Sequence, residues 1–192
     1  KRPLLDKSWD DVVMHGYSTL DQAKPGNPAL LISSSKQMTD MLRAKNPQVK
    51  TYLTATWSRA DQTFPPDRPW NGKPIQQMGK DIAVAYDQAG KAANVTGIVP
   101  MGLAWNRAID TGFADGNPYD GIDAGKIDIW SYDRYHASIF GYYLEALLVF
   151  GKVTGKDPLS LGRTETVADD MGFSADQTVK LQQLAHDELA AQ

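Results

Sequence analysis

The sequence predicts an α/β protein in which a parallel sheet lies between two layers of helices. Short runs rich in β-branched and aromatic residues alternate along the chain with longer amphipathic segments. Each amphipathic segment is long enough to cross from one parallel strand to the next. The length of 192 residues suits one domain with a sizeable core. We therefore expect a single α/β domain over residues 1–192, with a helical C-terminal extension over about 156–192.

Three strands are predicted. The run Asp11-Val-Val-Met-His15 ends at Gly16 and is typical of a short buried strand. The segment 48–57 is rich in Thr, Val, Tyr and Trp, which favour strands. A third strand is predicted over 95–100. Most buried parallel sheets have more strands than this, so the visible part of the sheet looks incomplete.

Helices are predicted after each strand and through the C-terminal third. The first ends before Asn46-Pro47, because proline and the residue before it disfavour helix. Pro74 opens the second, since proline is favoured at a first helical position. Ser138 is the expected N-cap of the fourth. The predicted helical ranges are 29–44, 74–93, 103–111, 138–154, 164–171 and 174–191.

Composition excludes several classes of function. A net charge of −3 and a pI near 5.6 give no electrostatic reason to expect binding to nucleic acid or to an anionic membrane. The apolar run 142–150 is too short to span a bilayer and contains Glu145. The absence of cysteine excludes disulfides, thiolate metal sites and a cysteine nucleophile. We expect no cofactor.

The chain opens on Lys1-Arg2-Pro3, without an initiating Met or a signal peptide. We therefore expect an N-terminus made by processing, proteolysis or the choice of expressed segment. A cysteine-free chain is compatible with several compartments, and we favour a periplasmic or secreted location.

Polar and aromatic residues follow the predicted strands, at the edge where α/β proteins place their active sites. His15, Gly16 and Ser18 follow the first strand, Trp57 ends the second, and Trp105 follows the third. These residues should line one cleft as substrate-binding or oxyanion-stabilising groups.

A carboxylate and an imidazole are spaced three residues apart in Asp133-Arg-Tyr-His136, on the loop that leads into the fourth long helix. In this arrangement an Asp can orient a His that acts as a base. From the residues alone, a structural role for His136 is equally open. His186 is expected at the surface of the last helix, and no pair of histidines has the spacing of metal ligands.

The Asp133–His136 segment resembles the last conserved block of the SGNH (GDSL-like) hydrolases, which have a flavodoxin-like fold. The segment Trp9-Asp-Asp-Val-Val-Met-His15-Gly-Tyr-Ser18 is similar to the third block of one branch of that superfamily, with His15 in place of Gln or Asn. The likeness covers about residues 9–150. It implies a serine esterase in which Asp133 and His136 supply two members of a catalytic triad and the third block supplies an oxyanion donor.

In that superfamily the nucleophilic Ser and a second-block Gly precede the segments seen here, and the sequence contains neither block. The resemblance therefore implies a further polypeptide segment, on the same or a second chain, that carries the nucleophile. The implied substrate is a small-molecule or glycan ester, such as a carbohydrate O-acyl ester.

Two alternatives stay open. Gly16-Tyr-Ser18-Thr-Leu20 mimics the Gly-Asp-Ser-Leu motif, so Ser18 could serve a stand-alone esterase. The chain could instead be an inactive glycan-binding module, whose rim aromatics stack on sugar rings. The candidate aromatics are Trp57, Trp70, Trp105 and Tyr119.

Overall fold

The computed structural model describes residues 3–192 and has a mixed α/β fold with helices on both sides of a small parallel sheet. This confirms the predicted fold class. Lys1 and Arg2, on which the expectation of a processed N-terminus depends, lie outside the described residues.

The sheet consists of β1 (Asp11–Met14), β2 (Lys50–Thr54) and β3 (Gly97–Val99) in the order β1-β2-β3. Both pairs are parallel, with Val13 opposite Tyr52 and Tyr52 opposite Gly97. The strands lie where they were predicted but are shorter, because the predicted ranges included residues of the loops on either side. All carboxyl ends therefore point to one edge of the sheet, as a shared site requires.

Helices connect the strands and fill the C-terminal third, close to the predicted ranges. Ser138 caps α4, as predicted, by accepting a hydrogen bond from the backbone N–H of Gly141. No helix within residues 3–192 is long and apolar enough to cross a membrane. The helices are α1 (Ala29–Arg43), α2 (Gln76–Ala93), α3 (Met101–Asp110), α4 (Ile139–Thr154), α5 (Thr166–Asp170) and α6 (Ala175–Ala190).

A hydrophobic core covers each face of the sheet. Tyr52 and Leu53 are neighbours on β2 but pack into different clusters, because successive side chains of a strand point to opposite faces. Leu53 packs with residues of α1 and α2. Tyr52 packs with residues of α3, α4 and α6, including Leu181 of α6. Helix α6, which lies within the helical C-terminal extension predicted over 156–192, therefore contributes to this core.

Strand β1 is not the buried strand that its apolar sequence predicted. Its residues are exposed or half-buried, and Val13 keeps 39% of its surface accessible. The reason is its position, since β1 lies at the end of the order β1-β2-β3 and, in the described part of the chain, pairs only with β2. An edge strand with an unpaired side can accept a further strand.

Candidate active site

The loop before α4 is anchored to the carboxyl end of β2 by two indole groups. The Trp130 indole N–H donates to the carbonyl of Ser58 at 2.9 Å, and Trp130 is 1% exposed. The Trp57 indole N–H donates to the carbonyl of Tyr135 at 2.9 Å. These bonds tie residues 130–135 to the segment that follows β2, and so fix the loop that carries the Asp/His pair.

Asp133 and His136 form a hydrogen-bonded pair. The Nδ1 atom of His136 lies 2.6 Å from Oδ2 of Asp133. A carboxylate can only accept, so Nδ1 carries the proton and the Asp selects the tautomer of the imidazole. The spacing predicted from sequence therefore corresponds to direct contact between the two side chains.

The other oxygen of Asp133 is held by three donors. Its Oδ1 accepts from the Ser131 hydroxyl at 2.6 Å, from the Tyr135 backbone N–H at 3.0 Å and from the His136 backbone N–H at 2.9 Å. The Ser131 hydroxyl and the bonds from His136 and Tyr135 hold the pKa of Asp133 well below its usual range, against the opposing effect of partial burial. The carboxylate is therefore ionised and oriented at neutral pH.

Because Nδ1 faces Asp133, the Nε2 atom of His136 is the one left for chemistry. No hydrogen bond from residues 3–192 engages it, and 54% of the side chain is exposed. His136 lines a cavity of about 270 Å³. A neutral imidazole with Nδ1 protonated has a lone pair on Nε2 and can accept a proton there.

The cavity is formed by the carboxyl ends of β1 and β2, the Asp/His loop and the first turns of α4. Sequence reasoning missed five of these lining residues: Tyr17, Thr56, Tyr135, Tyr142 and Glu145. A signal did exist on α4, because positions 142 and 145 lie on the same helical face and Glu145 is the charge inside the apolar run 139–150. The lining residues are His15, Gly16, Tyr17, Ser18, Thr56, Trp57, Tyr135, His136, Tyr142 and Glu145.

One lining residue places an ionisable carboxyl group near His15. Burial raises the pKa of Glu145, and nearby His15 partly offsets that rise. Thr56 also lines the cavity and is 5% exposed as a residue, but its hydroxyl oxygen is buried and has no hydrogen-bond partner among the described residues. The Thr56 hydroxyl is therefore not accessible to a ligand in the cavity.

His15 and Gly16 line the cavity, but their bonds do not suit the predicted oxyanion role. The Gly16 N–H donates to the Tyr86 phenol oxygen at 2.8 Å and is already used. The His15 Nδ1 lies 3.0 Å from the Gly16 carbonyl. When Nδ1 donates there, the Nε2 of neutral His15 is an acceptor, so it can stabilise an oxyanion only in the protonated imidazolium form.

Ser18 lines the cavity without being bonded to His136. Its hydroxyl oxygen accepts a hydrogen bond from Nη1 of Arg59 at 2.9 Å. No hydrogen bond joins Ser18 to His136 in the described structure. The arrangement does not place Ser18 as a nucleophile activated by this base.

Of the two tryptophans predicted to contact substrate, one lines the cavity and the other lies in the core. Trp57 is half-buried and lines the cavity, as expected. Trp105 is 0% exposed and does not line it, so the prediction of substrate contact is wrong. Trp105 instead stacks on Trp57, with ring centroids 5.1 Å apart, and supports it from the core. Its helix begins directly at the end of β3, which buries this position.

His186 lies at the surface, as predicted, and forms its own pair with Asp157 at 3.0 Å. Within residues 3–192, no group of three or more His, Cys, Asp or Glu side chains is placed to hold a metal ion.

Replacement of Asp133 by Asn should flatten the dependence of stability on pH in the acid range. Because folding depresses the pKa of Asp133, its stabilising contribution is present above the ordinary Asp value of about 4 and is lost as pH falls below it. We expect Asp133→Asn to lower the unfolding free energy at pH 7 and to change it less at pH 3. Denaturant unfolding at both pH values measures this.

The matched control is Asp176→Asn, since the Asp176 side chain is 93% exposed and its one side-chain partner within residues 3–192 is Arg163. This control should behave like the wild type at both pH values. An equal loss for Asp133→Asn at pH 7 and pH 3 would contradict the assigned contacts.

The chain matches no family model and no curated protein. It is similar in structure to the crystal structure of a DUF4886 family protein from Bacteroides uniformis ATCC 8492, with a TM-score of 0.70 and 19% sequence identity. The match covers 98% of this chain and 65% of that chain, so the present chain spans less than two thirds of its neighbour's length. At this identity the likeness establishes the fold alone.

Proposed function

We propose that the protein is a serine esterase-type hydrolase of the SGNH class. In this proposal His136 is the general base that serves a nucleophilic serine, and Asp133 orients His136. The observation that carries the proposal is the 2.6 Å contact between Asp133 and Nδ1 of His136, with Nε2 free beside a cavity. An ionised, oriented Asp and a neutral His are the two groups that activate a serine hydroxyl.

In the proposed reaction, Nε2 of His136 removes the proton of a serine hydroxyl as its oxygen attacks the ester carbonyl carbon. Asp133 stabilises the imidazolium that forms. The imidazolium then protonates the departing alcohol oxygen, which leaves an acyl-enzyme. Water, deprotonated by the same Nε2, then attacks the acyl carbon. The bond between the acyl carbon and the serine oxygen breaks, the imidazolium returns the proton to that oxygen, and the acid departs.

We further propose that the nucleophilic serine belongs to another polypeptide segment, on the same or a second chain. Ser18, the serine that lines the cavity, has its hydroxyl oxygen bound by Arg59. Strand β1 has an outer edge that no strand within residues 3–192 covers, and this edge leads directly to His15 and the cavity. A strand that paired there in parallel with β1 would place its carboxyl end at the same edge of the sheet as the cavity. The greater length of the structural neighbour is compatible with such a segment.

The proposed substrate is a small-molecule or glycan ester, with carbohydrate O-acyl esters as the leading class. The aromatic residues Tyr17, Trp57 and Tyr142 line the cavity, together with the polar residues His15 and Glu145. Flat apolar faces combined with a few hydrogen-bonding groups are typical of sugar sites.

The same rings support a second candidate, a glycan-binding module without catalysis. Two of the tryptophans predicted to stack on sugar rings are, however, buried. Trp70 is 3% exposed and bonded to Asp81, and Trp105 is 0% exposed. Tyr119 is exposed but packs on Phe64 and does not line the cavity. The aromatic residues that could contact a glycan in the cavity are therefore Trp57, which the sequence predicted, and Tyr17 and Tyr142.

Hydrolysis of short p-nitrophenyl esters by the protein isolated from its native source tests the proposal. We expect turnover, and we expect Ser18→Ala to lower it by no more than about tenfold, because Ser18 only lines the site. Complete loss in Ser18→Ala would favour the stand-alone esterase. Absence of turnover, with saturable binding of a glycan, would favour the binding module.

A further inference from the structure

A buried arginine lies behind the Asp/His pair. Arg59 is 8% exposed, and its Nε and Nη2 atoms donate to the two carboxylate oxygens of Asp61 at 2.9 and 2.6 Å. Its third donor, Nη1, bonds Ser18. A planar guanidinium held through all three nitrogens has little freedom to rotate.

The face of this guanidinium lies on the ring of Tyr135. The Arg59 Cζ atom is 3.5 Å from the ring centroid, within the range of a cation–π contact. The other face of Tyr135 is available to His136, and the two rings stack with centroids 4.2 Å apart and an interplanar angle of 27°. Arg59, Tyr135 and His136 therefore form a continuous stack.

The backbone around Tyr135 is tied to the same region. The Trp57 indole holds the Tyr135 carbonyl, and the backbone N–H of Asp61 donates to the Arg134 carbonyl at 3.2 Å. The loop is thus attached to the segment after β2 by contacts on both sides of Arg59. The position of the Tyr135 ring is fixed by its backbone as well as by the cation.

We propose that Arg59 is a positioning residue that fixes the plane of the His136 imidazole by acting through the Tyr135 ring. The Asp133 bond fixes the position of Nδ1, but a single hydrogen bond leaves the ring free to tilt about it. The stack removes that tilt and so determines where Nε2 points into the cavity. This role rests on the proposed function, because orientation of Nε2 matters only if Nε2 transfers a proton. Misplacement by about 1 Å can cost on the order of a hundredfold in rate.

The test uses Arg59→Met, which keeps a long side chain but removes the charge and the donors. Its readouts are the ring-proton NMR shifts of His136 and the kinetics with p-nitrophenyl acetate. The Tyr135 ring current shifts the His136 protons in the stacked geometry. We expect these resonances to move, and kcat to fall by about ten- to a hundredfold with KM within about threefold. Arg59→Lys should partly restore the His136 resonances and kcat, because lysine supplies a cation but lacks the planar guanidinium with its several donors.

Arg163→Met is the control, since Arg163 pairs with Asp176 at the surface and its side chain is 63% exposed. It should leave the His136 resonances and kcat unchanged. If Arg59→Met does not fold because Asp61 loses its partner, the double variant Arg59→Met/Asp61→Asn removes both charges together. His136 resonances that coincide with the wild type in a folded Arg59 variant would overturn the proposal.

The NMR readout does not depend on turnover. If the wild-type protein from its native source is inactive but the His136 resonances move in Arg59→Met, the esterase function is refuted and the stack is supported. An active wild type with unmoved resonances would refute the positioning role alone.

Discussion

Replacement of His136 by Ala is expected to lower kcat/KM for ester hydrolysis by on the order of a thousandfold or more. In the proposed mechanism, His136 is both the base that takes the serine proton and the acid that protonates the leaving alcohol, and the variant removes both. Asp133→Asn should cause a loss of similar order, because Asn no longer selects the Nδ1-protonated tautomer or stabilises the imidazolium. Steady-state kinetics with p-nitrophenyl acetate measure both.

The chain offers a matched control in its other Asp/His pair. His186 is bonded to Asp157 at 3.0 Å, near Gly151 and Lys152 at the C-terminal end of α4, and does not line the proposed active-site cavity. His186→Ala should therefore keep kcat/KM within about twofold. Equal losses for His136→Ala and His186→Ala would contradict the assignment of the site.

Replacement of Trp105 by Ala is expected to destabilise the fold by about 3–5 kcal/mol, the usual cost of removing a large buried aromatic side chain. Trp105 is 0% exposed, stacks on Trp57 at 5.1 Å and meets Trp130 edge-on at 5.3 Å. Because its indole N–H has no partner among the described residues, the loss comes from packing rather than hydrogen bonding. Denaturant unfolding measures the change in free energy.

The same substitution should also weaken the attachment of the Asp/His loop. Trp57 stacks on Trp105, and the Trp57 indole N–H donates a hydrogen bond to the Tyr135 carbonyl of that loop. Trp9→Ala is the control, since Trp9 is 37% exposed and lies outside both core clusters. We expect it to cost less than about 1 kcal/mol. If Trp105→Ala is as stable as Trp9→Ala, then Trp105 is not packed against Trp57 as described.

The fold could be predicted from the sequence because its signals are local. The β-branched and aromatic residues within 50–54 favour a strand, and the proline and asparagine residues at the ends of α1 and α2 mark helix boundaries. Each of these signals acts within one element. The exposure of β1 could not be predicted in the same way. Its apolar residues are compatible with a buried strand, and only the strand order places it at an edge.

The Asp133–His136 contact was also local, since the partners are three positions apart in the sequence. Arg59, by contrast, is far from Tyr135 in sequence, and its contact depends on how the segment after β2 meets the loop before α4. The same applies to Trp105, whose place beneath Trp57 follows from the packing of α3. Sequence position shows that a side chain follows a strand, but not whether it points into a cleft or into the core.

The most direct test of the central claim is to identify the residue that a serine-directed fluorophosphonate labels. The protein from its native source would be labelled, digested and mapped by mass spectrometry, with His136→Ala as the variant that should resist labelling. We predict an adduct on a serine outside the 192 residues of this chain. An adduct on Ser18, or labelling that is unchanged in His136→Ala, would contradict the proposal that Asp133 and His136 serve a nucleophile from another segment.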